Sequence, residues 1–520
     1  MLARAGRDDH ALAMEAVEHT RTRWIAALAV AAIIALAACA VRVGTAPNGP
    51  GLSVDSASYE LAATSLRDDP DRVAAVLNGI FPPGYPAAIA VASPATSTAR
   101  DAAVLVNVVA LAAIMALVAL AAFGARRRDG LDQLLPPVAA ALLLGTSAAM
   151  LRWTGYVMAE LVSMAWTMAA VVAAITAVTR PRWLVAVGVA AGMAGIARHG
   201  ALATIPTLAV LSALLVQDGW ARLRTAATIV GVGAATWCVG TRLLLGGPPE
   251  SNRVVAWHPP TGHDLAQLVD TVGGFWLPSA LGTFGIRAAV LLALLAVAVA
   301  GARAVRSGAL ARVPAAAVLS GGLVLAHLIT LAASRAWLDQ AIVADDRLVL
   351  PIVPLVVLAI VAAWPADTSS RPALRVVAGV SLVVVLGAQA ERSLEWVHES
   401  RREGLEYGQR RFGASPTLTA VRAMPDDILV WSNEVSLLSL RADRQSLPIP
   451  SRTNSYSGLG DPAFEANLDA LRESVADGAA VVYVEGFTMP RILAMEELMT
   501  LVPGLTASPY PDGVILRSGG

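Results

Sequence analysis

A few ionisable side chains stand out because a chain this apolar has little reason to carry them. Asp55 lies in VDSASYELAATSL (54–66), just beyond the first long apolar stretch. A lone carboxylate there can take a proton from a hydroxyl, or cap a helix starting at Ser56, since Asp is a favoured N-cap residue. Glu160, in GYVMAELVS, falls about one turn inside an apolar run; an ionisable group at that depth faces a polar cavity or an ion partner. Arg198, in GIARHGAL, and Arg347, in DDRLVLPIVP, sit at the ends of other apolar runs. A guanidinium stays charged and offers forked donors to a phosphate or carboxylate, although the same side chain at a helix end also snorkels into lipid headgroups. His199 follows Arg198 directly and is either a further polar contact or a hydrogen-bonded imidazole. Asp345 and Asp346 precede Arg347 and suit pairing with it, contact with a substrate, or helix capping. Tyr59 lies one helical turn beyond Asp55, and FPPGYP (81–86), with Tyr85, reads as a rigid turn.

The elements that must position these groups are membrane helices. Of 520 residues, 56% are hydrophobic and 15% charged, too apolar a balance for a soluble chain of this length. Every one of the 39 basic residues is Arg, the formal net charge is zero, and the basic residues are dispersed, so nothing resembles a nucleic-acid-binding patch. Apolar stretches long enough for a hydrocarbon core of about 30 Å occur near 24–44, 101–123, 132–151, 156–179, 183–197, 200–217, 224–245, 287–305, 313–333, 348–364 and 373–390, eleven in all. The stretch 183–217 divides into two short helices turning at Arg198-His199-Gly200. With a cytoplasmic N-terminus, the inner loops carry Arg126 to Arg128, Arg180 and Arg182, Arg222 and Arg224, Arg303, Arg306 and Arg312, and Arg371 and Arg375, in keeping with the positive-inside rule. The C-terminus is then outside.

This parse gives a cytoplasmic tail over 1–23, a membrane domain over 24–390 with outer loops at 45–100 and 246–286, and an extracytoplasmic segment over 391–520. In that last segment DDILVWS (426–432), AAVVYVEGF (479–487) and YPDGVILR (510–517) read as strands and FEANLDALRESVAD (464–477) as an amphipathic helix, a small α/β domain. LAAC (36–39) has the look of a lipoprotein cleavage box, but the long stretch before the apolar run favours an ordinary membrane helix. Cys39 and Cys238 lie in apolar runs and read as packing residues. His258, His263 and Asp264 could be assembled into a metal site, but the prolines of WHPPTGHD prevent a regular ligand face. Trp153, Trp183, Trp220 and Trp364, at span ends, read as interfacial anchors.

In the order of these motifs the chain resembles the polytopic lipid-linked glycosyltransferases of the GT-C superfamily, in particular the bacterial branch with the protein-mannosyl and aminoarabinose transferases. Asp55 and Tyr59 match a D-x-x-x-Y-like opening of the first outer loop, and Pro82, Pro83, Tyr85 and Pro86 match a P-P-x-Y-P-like turn. Glu160, Arg198, and Arg347 with Pro351 and Pro354 have later counterparts, so the likeness spans roughly residues 24–390. Many members carry a second acidic residue directly after the first; here that place is Ser56, and the metal dependence is left open.

The resemblance implies a polytopic α-helical membrane protein of about eleven spans that moves a sugar from a polyprenyl-phosphate donor to a glycan, glycolipid or protein acceptor at the outer face of the cytoplasmic membrane. Asp55 would be the general base and Arg198 and Arg347 the phosphate ligands. Tyr59, Tyr85, Glu160, His199 and Asp346 would line the substrate site. Two other readings stay open: a transporter or flippase for lipid-linked sugars, and a catalytically inactive envelope-assembly protein of the same fold.

Overall fold

The computed structural model describes residues 2–77, 79–124, 131–245, 255–292, 306, 313–339, 342, 345–363, 372–454, 457–486 and 492–519. Trp364 and the inner-loop arginines 126–128, 303, 312 and 371 fall outside the described residues. The helices that concern the site are α1 (Leu2–Thr45), α2 (Val54–Asp68), α3 (Gly84–Ala92), α4 (Ala99–Gly124), α5 (Leu131–Gly145), α6 (Ala148–Thr154), α7 (Glu160–Ala177), α8 (Leu184–Ala197), α9 (Thr204–Leu214), α10 (Gly219–Leu245), α11 (Gly262–Gly274), α12 (Ala315–Trp337), α13 (Asp346–Val349), α14 (Ile352–Ala363) and α15 (Pro372–Glu403).

Among the described residues six helices are long and apolar enough to cross a membrane, and a seventh span results if α5 and α6, bent by 58°, count as one. Shorter apolar helices occupy Pro181–Ala197, His199–Leu214, Ser279–Leu292 and Ile352–Ala363, where the apolar pattern predicts four further spans. This is a multi-pass membrane protein. Two boundaries differ from the sequence reading. The first helix is continuous from Leu2 rather than starting at 24, and α15 carries its helix past 390 to Glu403, a stalk that leads from the bundle to the sheet-bearing C-terminal region.

Beyond the stalk, β1 (Val430–Ser432), β2 (Leu447–Pro448), β3 (Ala480–Val484), β4 (Leu505–Tyr510) and β5 (Gly513–Ser518) form one sheet in the order β2-β1-β3-β5-β4. β1 runs parallel to β2 and β3, and β5 is antiparallel to β3 and β4. One helix, α16 (Phe464–Ala476), buries Phe464, Leu468, Leu471 and Val475, a spacing that puts all four on one face, against a core with Trp431, Val481 and Leu516. The β4–β5 turn is tied back by Asp512, whose Oδ1 accepts from the Thr417 backbone N–H (3.1 Å) and hydroxyl (2.6 Å).

The segment before Asp55 is held from both sides. Gly51 donates its N–H to the Gly155 carbonyl (2.9 Å) and accepts from Val157 N–H (3.1 Å), while the Leu52 carbonyl accepts from Tyr407 N–H (3.0 Å). Gly51 and Leu52 thus bridge Tyr156, which leads into α7, and Glu406, which lies just past the stalk.

Candidate active site

Asp55 is the second residue of α2, not its cap. Ser53 holds the N-cap position, and its backbone N–H donates to Ser56 Oγ (2.9 Å). Ser56 Oγ in turn donates to the Val157 carbonyl (3.0 Å). The helix therefore starts earlier than a cap at Asp55 would place it. The carboxylate sits in the first turn, favoured by the helix dipole, and is left for another partner. That partner is Arg347, whose Nη1 lies 2.7 Å from Asp55 Oδ2.

Glu160 opens α7 rather than lying a turn inside it, because residues 156–159 are not helical. Its side chain is 4% exposed, and its Oε1 lies 3.8 Å from Arg347 Nε and 3.4 Å from Arg198 Nη1. Arg198 sits in extended backbone between α8 and the short turn His199–Ala203, so the turn expected at Arg198-His199-Gly200 is what aims the guanidinium. Asp55, Arg347, Glu160 and Arg198, from four separate parts of the chain, form a line of alternating charge. Glu160 Oε2, Arg198 Nη1 and Arg347 Nε are buried without a hydrogen bond of normal geometry, so each retains capacity for a further polar partner.

The line runs along a cavity of about 900 Å³. Its wall includes Asp55, Tyr59, Glu160, Arg198, His199, Asp345 and Arg347, with Ser163, Thr167 and Thr330 among apolar residues such as Met164, Met168, Leu323 and Leu355. Such a wall fits an amphipathic ligand, polar at the charged end and apolar along its length. Asp345 accepts from Leu348 N–H (2.8 Å) and so caps α13, the turn that presents Arg347. His327 Nε2 lies 2.8 Å from the Leu348 carbonyl and steadies the same turn.

Tyr85 and Asp346 lie elsewhere. Tyr85 is fully buried behind the wall, stacked edge-on against Tyr59 (5.1 Å), and its hydroxyl accepts from Asn107 Nδ2 (3.2 Å). Its turn has a positioning role, because Gly84 packs on the end of α8: a Cβ at Gly84 would stand 2.8 Å from the Ile196 carbonyl oxygen, two residues before Arg198. Asp346 points away from the cavity to Arg152 Nη1 (3.4 Å), since neighbouring positions on a helix face different directions. His327 and Asp339 also line the cavity and do not stand out in the sequence reading; a lone imidazole inside the apolar run 313–333 is the available signal.

Other expectations are corrected by packing. Trp153 is 5% exposed and stacks on Tyr156, so it is a core residue, whereas Trp183 and Trp220 do face outward. Cys39 and Cys238 are unpaired and exposed on helix surfaces rather than packed. Asp264 accepts from Thr261 N–H (2.7 Å) at the start of α11 and pairs with Arg335, so its carboxylate serves a cap. Among the described residues no three His, Cys, Asp or Glu side chains converge as a metal site.

No family model and no curated protein matches the sequence. Solved structures do match in fold. ArnT from Cupriavidus metallidurans superposes with a TM-score of 0.57 in the apo state at 12% identity, and 0.58 bound to undecaprenyl phosphate at 13%; each comparison covers 96% of this chain and 98% of ArnT. The Archaeoglobus fulgidus oligosaccharyltransferase AglB, in complex with an inhibitory peptide and a dolichol-phosphate, gives 0.51 at 11% identity over 88% of this chain and 69% of that one. The chain shares the fold of ArnT and of the oligosaccharyltransferase AglB.

Proposed function

We propose that the chain is a glycosyltransferase that takes its sugar from a polyprenyl-phosphate donor at the outer face of the cytoplasmic membrane, with residues 391–520 on that same face. The observation that carries this reading is the paired line Asp55–Arg347–Glu160–Arg198 in the wall of a largely apolar cavity. A lipid phosphate joins a charged group to an apolar chain, the two kinds of surface that the cavity wall offers. The fold neighbours with undecaprenyl phosphate and dolichol-phosphate bound support this donor class.

In the proposed reaction the acceptor hydroxyl oxygen attacks the anomeric carbon and its proton passes to Asp55. The bond from that carbon to the phosphate oxygen breaks, with the electron pair staying on phosphate. Arg198 and Arg347 compensate the charge that develops there. Glu160 is buried between the two guanidiniums and holds them at one level without neutralising both. The step inverts the anomeric centre, because nucleophile and leaving group lie on opposite sides of it.

The test is binding of a panel of polyprenyl-phosphate sugars to the purified protein, beside the matching nucleotide sugars. Binding of one or more lipid-linked sugars is expected. Binding of nucleotide sugars alone, or of neither set, overturns the donor assignment.

A further inference from the structure

Beside the Asp55–Arg347 pair, and outside the cavity wall, lies a second polar group of side chains. Arg152 and Asp346 are paired at 3.4 Å and remain 41% and 34% exposed. The Arg152 guanidinium lies over the Trp153 ring at 5.6 Å. Glu406 reaches the same patch from beyond the stalk: its backbone bridges Leu52, whose neighbour Gly51 bridges Tyr156, and its carboxylate is within electrostatic reach of Arg152 and Arg347.

The backbone of Glu406 is unusual. Its φ is 45°, in the left-handed region where a Cβ is unfavourable and where Gly or Asn is the ordinary choice. The surrounding turn enforces that conformation. Gly404 has φ 79°, and a Cβ there would stand 2.5 Å from the Gly408 carbonyl oxygen, so the turn closes only with glycine at its start. Gln409 N–H donates to the Glu406 carbonyl (2.9 Å), and the bridge to Leu52 fixes the turn three residues before Asp55. Backbone strain of this kind persists where the side chain it presents has a task.

The direction of the reaction suggests that task. If the donor phosphate leaves into the cavity, the acceptor must arrive from the opposite side, and this patch adjoins Asp55 without lining the cavity. Two carboxylates and one guanidinium give the patch a net negative charge, which disfavours a phosphate-bearing acceptor. They suit neighbouring hydroxyls, whose O–H groups donate to carboxylates while their oxygens accept from guanidinium. We infer that Arg152, Asp346 and Glu406 form an acceptor subsite for a neutral, hydroxyl-rich glycan, and that the strained turn at Glu406 exists to present its carboxylate there. The inference rests on the proposed transferase reaction for the side from which the acceptor arrives.

Glu406→Gly separates the structural role from the binding role, because glycine suits φ 45° while removing the side chain that carries the carboxylate. The full-length protein and its Glu406→Gly and Glu406→Gln variants would be titrated with neutral methyl hexosides and pentosides and with their phosphorylated counterparts. Thermal midpoints and donor binding would be measured alongside. The expected result is binding of a neutral glycoside to the wild type, weakened about 10-fold in both variants, as for a lost hydrogen bond to a charged group. Glu406→Gly is expected to unfold at a higher temperature and to bind the lipid-linked donor as the wild type does. Equal glycoside binding by the Gly variant, no neutral glycoside bound by the wild type, or tighter binding of the phosphorylated probes would overturn the subsite. Failure of the wild type to bind any lipid-linked donor would instead strike the donor assignment, and the glycoside titration reads independently of it.

Discussion

At the scale of single residues, Asp55 and Arg347 are each poised for opposite duties. The 2.7 Å contact with a guanidinium holds Asp55 as one half of an ion pair, with the carboxylate that a general base needs. Asp55→Asn retains shape and a hydrogen-bond acceptor but cannot take the proton. It is expected to leave expression and donor binding in place while abolishing glycan transfer in membranes; retained transfer would remove Asp55 as the base. Arg347→Ala is expected to weaken donor binding by about 2 kcal/mol, the order of a lost charge-assisted contact. Arg347→Lys should recover only part of that, because an ammonium restores charge without the fork that reaches both Asp55 and Glu160. Titration of the donor against both variants checks this, and full rescue by Lys would mean that charge alone matters. The four charged residues are legible in the sequence because their surroundings are so apolar. Their pairing is not, since no spacing tells which helix ends meet across the bundle.

At the scale of elements, FPPGYP acts as a spacer between α2 and the end of α8. The sequence marks it as a turn through Pro and Gly, but its partner, the Ile196 carbonyl, is distant in sequence and invisible there. Gly84→Ala brings a methyl group against backbone that cannot rotate aside, so it is expected to cost about 1 to 3 kcal/mol. Because the contact lies two residues before Arg198, donor affinity should fall together with the thermal midpoint, and an unchanged affinity would uncouple the turn from the site. The start of α2 is ambiguous in the sequence for a related reason. Asp55 reads as the cap, and the bonds from Ser53 N–H to Ser56 Oγ and from Ser56 to Val157, across the bundle, start the helix earlier, at Ser53. Glu406 leaves no signal at all, because what distinguishes it is a dihedral angle rather than a residue type or a period.

At the scale of the whole molecule, the sheet-bearing region is joined to the bundle through polar contacts. Arg100 pairs with Glu60 of α2 (2.8 Å) and donates to the Leu440 carbonyl (2.9 Å), and Tyr407 donates its hydroxyl to Glu434 Oε2 (2.5 Å). Burial raises the Glu434 carboxyl above its ordinary value of 4.5, against the opposing pull of the Tyr407 hydroxyl. The folded state then binds this proton more tightly than the unfolded one. Its contribution is full below the ordinary carboxylate range and is lost as pH rises through the raised folded value. Amide exchange in β1 and β3 should therefore quicken as pH climbs through that window, after correction for intrinsic rates, and Glu434→Gln should flatten the slope. These same joints place the sheet-bearing region on the face that carries Asp55, since Leu52 bridges Glu406. On the proposed orientation, Arg180, Arg182, Arg222 and Arg224 lie at the opposite, cytoplasmic face, as the positive-inside rule asks. With Cys39 and Cys238 replaced by Ala, a cysteine at the exposed Ala507 is expected to react with an impermeant thiol reagent in intact cells. One at the exposed Gln217, between α9 and α10, should react only after permeabilisation. The reverse pattern would turn the molecule over and put the candidate site on the cytoplasmic side. Labelling of both in intact cells would mean that the short apolar helices between them do not cross in the number the charge pattern requires.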